Sequence, residues 1–186
     1  MRKIVFHIGM SLDGYFEGPN REIDWHCVDD ELHRYMNAVV RSYGGMLTGR
    51  ITHQLMVDYW PTADADPNAE PTIREFAAIW RDMPKIVFSK TWSDTRWNTT
   101  IRREVDPEEI RALKAQPGGD LVVGGPNLTE TFQRHDLVDD LRIFVHPVLL
   151  GRGRPAFGGN FPMKLKLLDT RRFGNGVVEL HYTRVR

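Results

Sequence analysis

The sequence predicts an α/β protein whose sheet is parallel over most of the chain and antiparallel near its end. Short apolar stretches alternate with segments of helical periodicity up to about residue 136, whereas the later apolar stretches follow one another directly. Alternating strands and helices are typical of a parallel sheet, and consecutive strands are typical of an antiparallel one. A chain of 186 residues can bury one sizeable core, so we predict a single domain over residues 1–186.

Composition excludes several classes of protein. Twenty-five Lys and Arg residues balance twenty-five Asp and Glu residues, so no overall basic charge would attract nucleic acid or an anionic membrane. Cys27 is the one cysteine and the seven histidines lack ligand spacing, so we expect no disulfide framework and no metal site. Because no apolar run approaches the ~20 residues needed to span a bilayer, the sequence predicts a soluble, cytoplasmic protein.

The first strand is predicted over residues 3 to 10 and ends in a turn at Ser11–Tyr15. Asp13 in this turn has two interpretations: it can bond to its own backbone, or it can face a cleft from the end of a buried strand. A helix follows from Asp29 or Asp30, with apolar residues at helical spacing up to Tyr43. Trp25, just before this helix, is a candidate for a ligand cleft or for ordinary packing.

Two later strands also end in groups that suit an anion. Met46–Thr48 leads into a helix through Gly49, Arg50 and Thr52, and a helix start with a guanidinium and a hydroxyl favours phosphate. Lys85–Phe88 is followed by Ser89 and Lys90, which are a further possible phosphate contact or simply solvated loop residues.

The strand Leu121–Val123 becomes a helix through Gly124, Gly125, Pro126 and Asn127. The glycines allow a tight turn, and proline suits a first helical position. The junction is either an ordinary strand-to-helix turn or an anion site. Neither the glycine pattern of the Rossmann fold nor a phosphate-loop motif occurs, so a dinucleotide would bind by another scheme.

The remaining elements complete the predicted sheet. Helical periodicity covers residues 73–80, and Asp106–Glu109 is typical of a helix start with its cap, proline and acidic first turn. Residues 137–150 are strand-like, residues 151–155 form a turn, and alternation over 164–167 and 177–182 predicts two closing antiparallel strands.

Seven spaced motifs together resemble one family. They occur in family order at Ser11–Gly14, Leu47–Thr52, Tyr59–Pro61, Lys85–Thr91, Leu121–Asn127, Leu137–Leu141 and His146–Gly153. The chain resembles the dihydrofolate-reductase-like superfamily, and within it stand-alone relatives of the reductase domain of riboflavin-biosynthesis enzymes. The resemblance implies one α/β domain on a mixed, mostly parallel sheet of about eight strands flanked by helices.

The resemblance also implies NADPH as cofactor and hydride transfer to a pterin-like, pyrimidine or related heterocyclic ring, in a homodimer that uses the Pro147–Gly153 region. It assigns cofactor contacts, substrate contacts and catalytic carboxylates. The cofactor contacts would be Gly9, Phe16, Gly49, Arg50, Thr52, Ser89, Lys90, Gly124, Gly125, Pro126 and Asn127. The substrate contacts would be Asp13, Trp25 and Trp60, and the catalytic carboxylates would be Asp13 and Asp30.

Some departures from the family leave alternatives open. Trp25 and Asp30 have the spacing of the acidic residue in true dihydrofolate reductases, but the usual intervening proline is missing, so Asp29, Asp30 or Asp13 could be the acid. The sequence carries no deaminase half, which leaves the substrate open. One alternative is a nucleotide-binding or regulatory protein without turnover, and another is DNA association through Arg152 and Arg154.

Overall fold

The computed structural model describes residues 1–159 and 162–186 and is built on one eight-stranded sheet. The sheet order is β5-β4-β3-β6-β1-β7-β10-β9, and a separate two-stranded sheet pairs β2 with β8. The strands are β1 (Ile4–Ser11), β2 (Tyr15–Glu17), β3 (Gly45–Gly49), β4 (Lys85–Phe88), β5 (Thr99–Arg102), β6 (Leu121–Gly124), β7 (Asp140–His146), β8 (Arg154–Pro155), β9 (Leu165–Arg172) and β10 (Val178–Arg184).

Strand directions confirm the predicted fold class. The strands from β5 to β7 run parallel, with β1 between β6 and β7, whereas β10 is antiparallel to both β7 and β9. The carboxyl ends of the six parallel strands therefore lie at one edge of the sheet, which is where ligands bind in open α/β sheets.

Helices cover both faces of the sheet because alternate residues of the central strands point to opposite sides. The helices are α1 (Asp30–Arg41), α2 (Arg50–Tyr59), α3 (Pro71–Asp82), α4 (Pro107–Ala115) and α5 (Pro126–Arg134), with a 3-10 helix at Trp60–Ala65. On one face, α4 and α5 bury Ile110 and Phe132 against Phe6. On the other, α1 buries Val40 against Val5. The extent of the domain over residues 1–186 stays a prediction.

The helix starts fall into two kinds, and the difference positions the candidate site. Asp29 caps α1 by accepting a 2.9 Å hydrogen bond from the Leu32 N–H, and Asp106 likewise caps α4 by accepting from the Glu108 N–H at 2.9 Å. By contrast, α2, α3 and α5 have no side-chain cap, and of these α2 and α5 begin after a glycine, Gly49 and Gly125. The amide groups at these two starts are therefore free of a capping side chain.

Sequence patterns missed two short strands, one in each sheet. The edge strand β5 pairs only with β4, and its short Thr-rich sequence carries little apolar alternation. The turn predicted at residues 151–155 is wrong at its end, where β8 pairs with β2 at Tyr15↔Pro155. Both features depend on pairing with distant residues, which local periodicity does not encode.

Candidate active site

The starts of α2 and α5 lie side by side at the carboxyl edge of the sheet. Adjacent strands β3 and β6 pair Thr48 with Gly124, so the residues that follow these strands are neighbours. A methyl group placed at Gly125 would lie 2.5 Å from Thr52 Oγ1, and one placed at Gly124 would lie 3.9 Å from Thr52 Cγ2. The first turn of α2 therefore packs directly against the glycine pair before α5.

Gly125 adopts a backbone conformation that only glycine accepts readily. Its φ is +88°, in the region that L side chains avoid, and Thr52 occupies the space that a side chain would need. Pro126 follows as the first residue of α5. The junction therefore combines a tight turn that depends on glycine with two neighbouring helix starts that carry partial positive charge.

Charged and polar groups flank this junction. Arg50 at the start of α2 is exposed, and so is Lys90 just after β4. Ser89 is buried, and its Oγ accepts hydrogen bonds from the N–H groups of Thr91 at 3.2 Å and Trp92 at 2.9 Å. Ser89 therefore holds the turn in which Lys90 lies.

A cleft of about 560 Å³ opens next to the junction, between the sheet, α1, α2 and α3. Its walls are mainly aromatic, aliphatic and thioether groups. They are contributed by His7, Val28, His33, Met36, Asn37, Val40, Met46, Thr48, Thr52, Met56, Tyr59, Trp60, Ile73, Phe76, Val122 and Gly124. Its size and composition are typical of sites for small organic ligands.

Within this apolar cleft, three buried polar atoms have no hydrogen-bond partner. They are His7 Nδ1, Asn37 Oδ1 and Thr48 Oγ1. The Asn37 amide is held in one orientation because its Nδ2 donates to Thr72 O at 2.9 Å and to Glu75 Oε2 at 2.8 Å. Since an unsatisfied buried polar group costs about 1–3 kcal/mol, a ligand that paired with these atoms would recover part of that cost.

His7 is neutral at the floor of the cleft. Burial, and secondarily the nearby Arg142 guanidinium, lowers the pKa of His7 from 6.5 to about 4. Its ring stacks on Phe144 with a centroid distance of 4.9 Å. Burial also lowers the pKa of His33, although Glu75 opposes this shift.

The buried His7 predicts that stability decreases in weak acid. Below pH 6.5 the unfolded chain takes up a proton at His7 that the folded chain, with a pKa of about 4, does not bind. Folding is therefore destabilised as the pH falls from 6.5 toward 4, by about 2 kcal/mol from this group at about pH 5. Urea unfolding of the wild type and of His7→Gln, at neutral pH and at about pH 5, measures the difference.

The matched control for this experiment is His135→Gln, because His135 is exposed. We expect His135→Gln to keep the wild-type pH dependence and His7→Gln to lose part of it. Equal pH dependence in all three proteins would show that His7 is not buried in its neutral form.

The structure brings some of the sequence-predicted residues to the cleft and leaves others outside it. Thr52, Trp60 and Gly124 line it. Trp25 is absent from its described walls; its Nε1 donates to Glu22 O at 2.9 Å, and its ring meets the His146 ring edge-on. Phe16 packs against the core on the opposite face of the sheet.

Gly9 lies in β1 next to two neighbouring imidazole rings, those of His26 and His146. A methyl group placed at Gly9 would lie 3.1 Å from His26 Nε2 and 3.2 Å from His146 Nε2. The two rings are 4.7 Å apart, and His146 Nδ1 accepts a hydrogen bond from the Cys27 N–H at 3.1 Å. A side chain at Gly9 would therefore push against both rings, so this packing favours glycine at the position.

Neither candidate catalytic carboxylate has the surroundings of a proton donor. Asp13 accepts hydrogen bonds from Ser11 Oγ at 2.6 Å and from the Gly151 N–H at 2.7 Å, and the Ser11 bond is the main cause that lowers its pKa. Asp30 forms an ion pair with Arg34, is half exposed, and is not among the residues that line the cleft. A general acid needs a raised pKa near its substrate, so these contacts weigh against both assignments, which stay predictions.

Asn127, another predicted cofactor contact, is tied to the second sheet. Its Oδ1 accepts a hydrogen bond from the Arg154 guanidinium, which also lies 3.5 Å from Glu17 Oε1. Arg154 therefore joins the start of α5 to β2. This contact gives Arg154 a structural role, although Arg152 and Arg154 are also the residues considered above for DNA association.

Sequence reasoning missed most of the cleft. Met36 and Val40 belong to the predicted apolar stripe of α1, but they face the cleft while Leu32 is fully buried. His7 and Asn37 gave no signal of their own. Asn37 is a polar residue within the apolar stripe of a predicted helix, and this pattern is the sequence signal that would have indicated a buried polar group in the cleft.

Two other kinds of feature, a membrane-spanning helix and a metal-binding cluster, are absent from the described residues. Among residues 1–159 and 162–186, no helix combines the length and apolar character needed to cross a bilayer. In the same part of the chain, no cluster of His, Cys, Asp or Glu side chains is placed to hold a metal ion.

The sheet order, the glycine junction and the neighbouring cleft define a dihydrofolate-reductase-like fold. A dihydrofolate reductase from Enterococcus faecalis, solved with NADP(H) and RAB-propyl, matches with a TM-score of 0.64 and 14% identity over 99% of this chain and 97% of that one. The chain itself belongs to the RibD C-terminal domain family, whose model matches residues 2–179.

Further relatives span the chain. The uncharacterized protein YyaP of Bacillus subtilis (strain 168) is 33% identical over 183 residues, covering 97% of this chain and 94% of that protein. A protein from Shewanella sp. PV-4 named for riboflavin biosynthesis matches with a TM-score of 0.74 and 23% identity over the whole of both chains. A third neighbour is a diaminohydroxyphosphoribosylaminopyrimidine deaminase/5-amino-6-(5-phosphoribosylamino)uracil reductase from Thermotoga maritima. It matches with a TM-score of 0.66 and 16% identity, over 99% of this chain and 57% of that one.

Proposed function

We propose that this protein is an NADPH-dependent reductase of a small pterin-like, pyrimidine or related heterocyclic compound. The observation that carries the proposal is the pair of uncapped helix starts, packed together through Thr52 and Gly125, beside a largely apolar cleft. An elongated dinucleotide needs an anion site next to a site for a flat ring, and this edge of the sheet has both.

The residues present fit NADPH. The amide groups at the starts of α2 and α5, together with the Arg50 guanidinium, would hold the pyrophosphate, and Gly49, Thr52, Gly124, Gly125, Pro126 and Asn127 belong to these starts. Lys90, in the turn held by Ser89, would pair with the additional phosphate that distinguishes NADPH from NADH. Gly9 and Phe16 are proposed at the nicotinamide end.

NADPH, when bound, would supply a hydride, and the accepting ring would also need a proton. The chain's own part is to position the ring and exclude water: Trp60 and Phe76, whose rings are 4.3 Å apart, form one wall of the cleft, and Trp60 is the proposed substrate contact. Trp25 and Asp13 remain proposed substrate contacts from the family pattern, and Asp13 and Asp30 the proposed proton donors.

The names of the relatives support a reductase, since one neighbour is a dihydrofolate reductase and another a uracil reductase. Mixing the protein with NADPH and a panel of dihydropterins and aminopyrimidines, while following the absorbance of the reduced nicotinamide, tests the proposal. Oxidation that depends on both protein and ring supports it, and no oxidation across the panel contradicts it.

A second candidate is a nucleotide-binding or regulatory protein that does not turn over substrate. It is favoured by one observation: none of the described residues that line the cleft is a carboxylate. Such a protein would show a thermal shift with NADPH and no oxidation in the same assay, because ligand binding alone stabilises the folded state.

Replacing Arg50 by alanine is expected to weaken NADPH binding about tenfold without loss of the fold, because a charge-assisted contact to phosphate is removed. Isothermal titration with NADPH measures the affinity, and thermal unfolding checks the fold. Arg111→Ala is the control, since Arg111 pairs with Glu108 on the exposed side of α4. Unchanged affinity in Arg50→Ala would place the phosphates elsewhere.

We also propose a homodimer formed through the Pro147–Gly153 region. Leu149 in this region is 70% exposed, which is unusual for a large apolar side chain unless it meets a partner. The cytoplasmic location expected from the sequence stays a prediction.

A further inference from the structure

The cleft is unusual in its charge. Among its described lining residues there is no Lys, Arg, Asp or Glu. Charged groups close to the lining are paired with other side chains. Glu75 accepts from Asn37 Nδ2 and forms a 2.6 Å ion pair with Arg41, and Asp30 pairs with Arg34. Arg142, which lies near His7, forms a 2.5 Å ion pair with Glu179. The polar groups of the cleft itself are neutral side chains.

This lack of charge disfavours an anionic ligand. A phosphate or carboxylate drawn into an apolar cleft loses its hydration, and it stays unfavourable unless a cation pairs with it. His7 cannot serve as that cation at neutral pH, because burial keeps its ring uncharged. Away from the helix starts at Gly49 and Gly125, the walls of the cleft therefore favour an uncharged ligand over an anionic one.

The unpartnered polar atoms indicate which hydrogen-bonding groups a ligand of the cleft would carry. Asn37 Oδ1 can only accept, since the amide nitrogen already donates twice, so it requires an N–H or O–H donor from the ligand. Thr48 Oγ1 and the neutral His7 ring can each donate or accept.

The apolar walls specify the shape of the ligand. The aromatic pair of Trp60 and Phe76 suits the flat face of a ring. Met36, Met46 and Met56 supply adaptable walls around it. A planar ring with polar edges matches this combination of walls and unpartnered atoms.

We propose that the cleft takes an uncharged, planar heterocycle that offers a hydrogen-bond donor to Asn37 and carries neither phosphate nor carboxylate. This inference rests on the proposed function, because it names the substrate class of the same site. It separates this chain from its Thermotoga maritima neighbour, whose name specifies a phosphoribosylamino compound.

The test uses two matched pairs of probes that differ by one phosphate: 5-amino-6-(ribosylamino)uracil and its 5′-phosphate, and 7,8-dihydroneopterin and its phosphate. Binding is measured by calorimetry, first without NADPH and then with it. We expect each neutral probe to bind about tenfold more tightly than its phosphate or better. Equal or tighter binding of the phosphates, or no binding of either neutral probe, would overturn the proposal.

A charge added to the cleft provides the converse test. Met56→Lys places an ammonium group at the wall, whereas the neighbouring Leu55→Lys adds the same charge at a side chain that is 64% exposed and does not line the cleft. We expect Met56→Lys to gain about tenfold in affinity for the phosphorylated probes, and Leu55→Lys to gain little. Ile73→Lys, at another lining position, serves if Met56→Lys does not fold.

The two proposals fail in different ways. If NADPH does not bind but the neutral probes still bind more tightly than their phosphates, the reductase proposal fails and the ligand class stands. If NADPH binds and the phosphorylated probes are preferred, the ligand class fails and the reductase proposal stands. Equal gains in Met56→Lys and Leu55→Lys would show that the probes bind outside the cleft, which overturns the ligand class.

Discussion

Replacing Gly125 by valine is expected to reduce the affinity for NADPH by about 100-fold or more while the sheet still forms. Gly125 has a φ of +88°, and a side chain there would collide with Thr52 Oγ1, 2.5 Å from the first added carbon. This contact displaces the Thr52 side chain or separates the starts of α2 and α5, and these starts carry the two sets of amide groups proposed to hold the pyrophosphate. Titration with NADPH measures the loss, and circular dichroism checks the fold.

The control for this substitution is a glycine with the same positive φ that lies away from the glycine junction. Gly176, in the turn between β9 and β10, has the same φ of +88°, and a methyl group there meets only Pro147 at 3.3 Å. Gly176→Ala is expected to lose about 1–2 kcal/mol of stability from its left-handed backbone and to bind NADPH normally. If Gly125→Val also bound NADPH normally, the cofactor site would have to be moved away from this junction.

The second large effect concerns stability. Asp139→Asn is expected to lower the free energy of unfolding by about 3–5 kcal/mol, because it leaves the buried Lys114 ammonium without its counter-charge. Asp139 lies 2.6 Å from Lys114 Nζ, both side chains are 7% exposed, and its Oδ2 also accepts from the Ile4 N–H at 2.9 Å. Urea unfolding at neutral pH measures the change.

The pKa of Asp139 supports this expectation. Burial alone would raise its pKa, but hydrogen bonds from Lys114, Ile4 and Arg186 outweigh burial and hold the pKa below its usual value. The carboxylate form is therefore the one that the fold stabilises, and an amide cannot replace its charge. The contacts join the start of β1, the end of α4 and the C-terminal residues at one point.

A nearby exposed pair provides the comparison. Asp136 pairs with Arg184, but it is 56% exposed and has a φ of +62°, which asparagine tolerates. Asp136→Asn is expected to cost less than about 1 kcal/mol, as exposed ion pairs usually do. Equal losses in the two variants would mean that Asp139 and Lys114 are not buried together.

The sequence was sufficient to predict the fold class and the glycine junctions, because these depend on local chemistry. Leu121–Val123 is a β-branched strand, Gly125 supplies the positive φ, and Pro126 suits a helix start, so each residue indicates its own conformation. The cap at Asp106 was predictable for the same reason. The directions of the strands were predicted from the alternation of elements, and their number from the family resemblance, whereas the order of the strands in the sheet was not predicted.

The cleft could not be predicted in the same way, because its walls come from distant parts of the chain. His7, Asn37 and Phe76 lie in β1, α1 and α3, and only the packing of α1 and α3 on the sheet brings them together. Asp30 shows a limit of spacing as a guide: it lies five residues after Trp25, and in the structure its carboxylate pairs with Arg34 one helical turn later. Spacing along a chain does not fix the direction of a side chain when the helix register is uncertain.

The arrangement of helices on the two faces of the sheet has a consequence for how such proteins diverge. The α5 start that flanks the glycine junction belongs to the layer containing α4, whereas α1 and α3 supply much of the cleft wall from the opposite layer. Under the proposed function, substitutions in α1 and α3 would therefore change which compound binds in the cleft and leave the proposed dinucleotide site unchanged. Related proteins would in this way acquire different ligands by exchanging a few side chains on those two helices. The same positions are suitable targets for engineering the ligand preference.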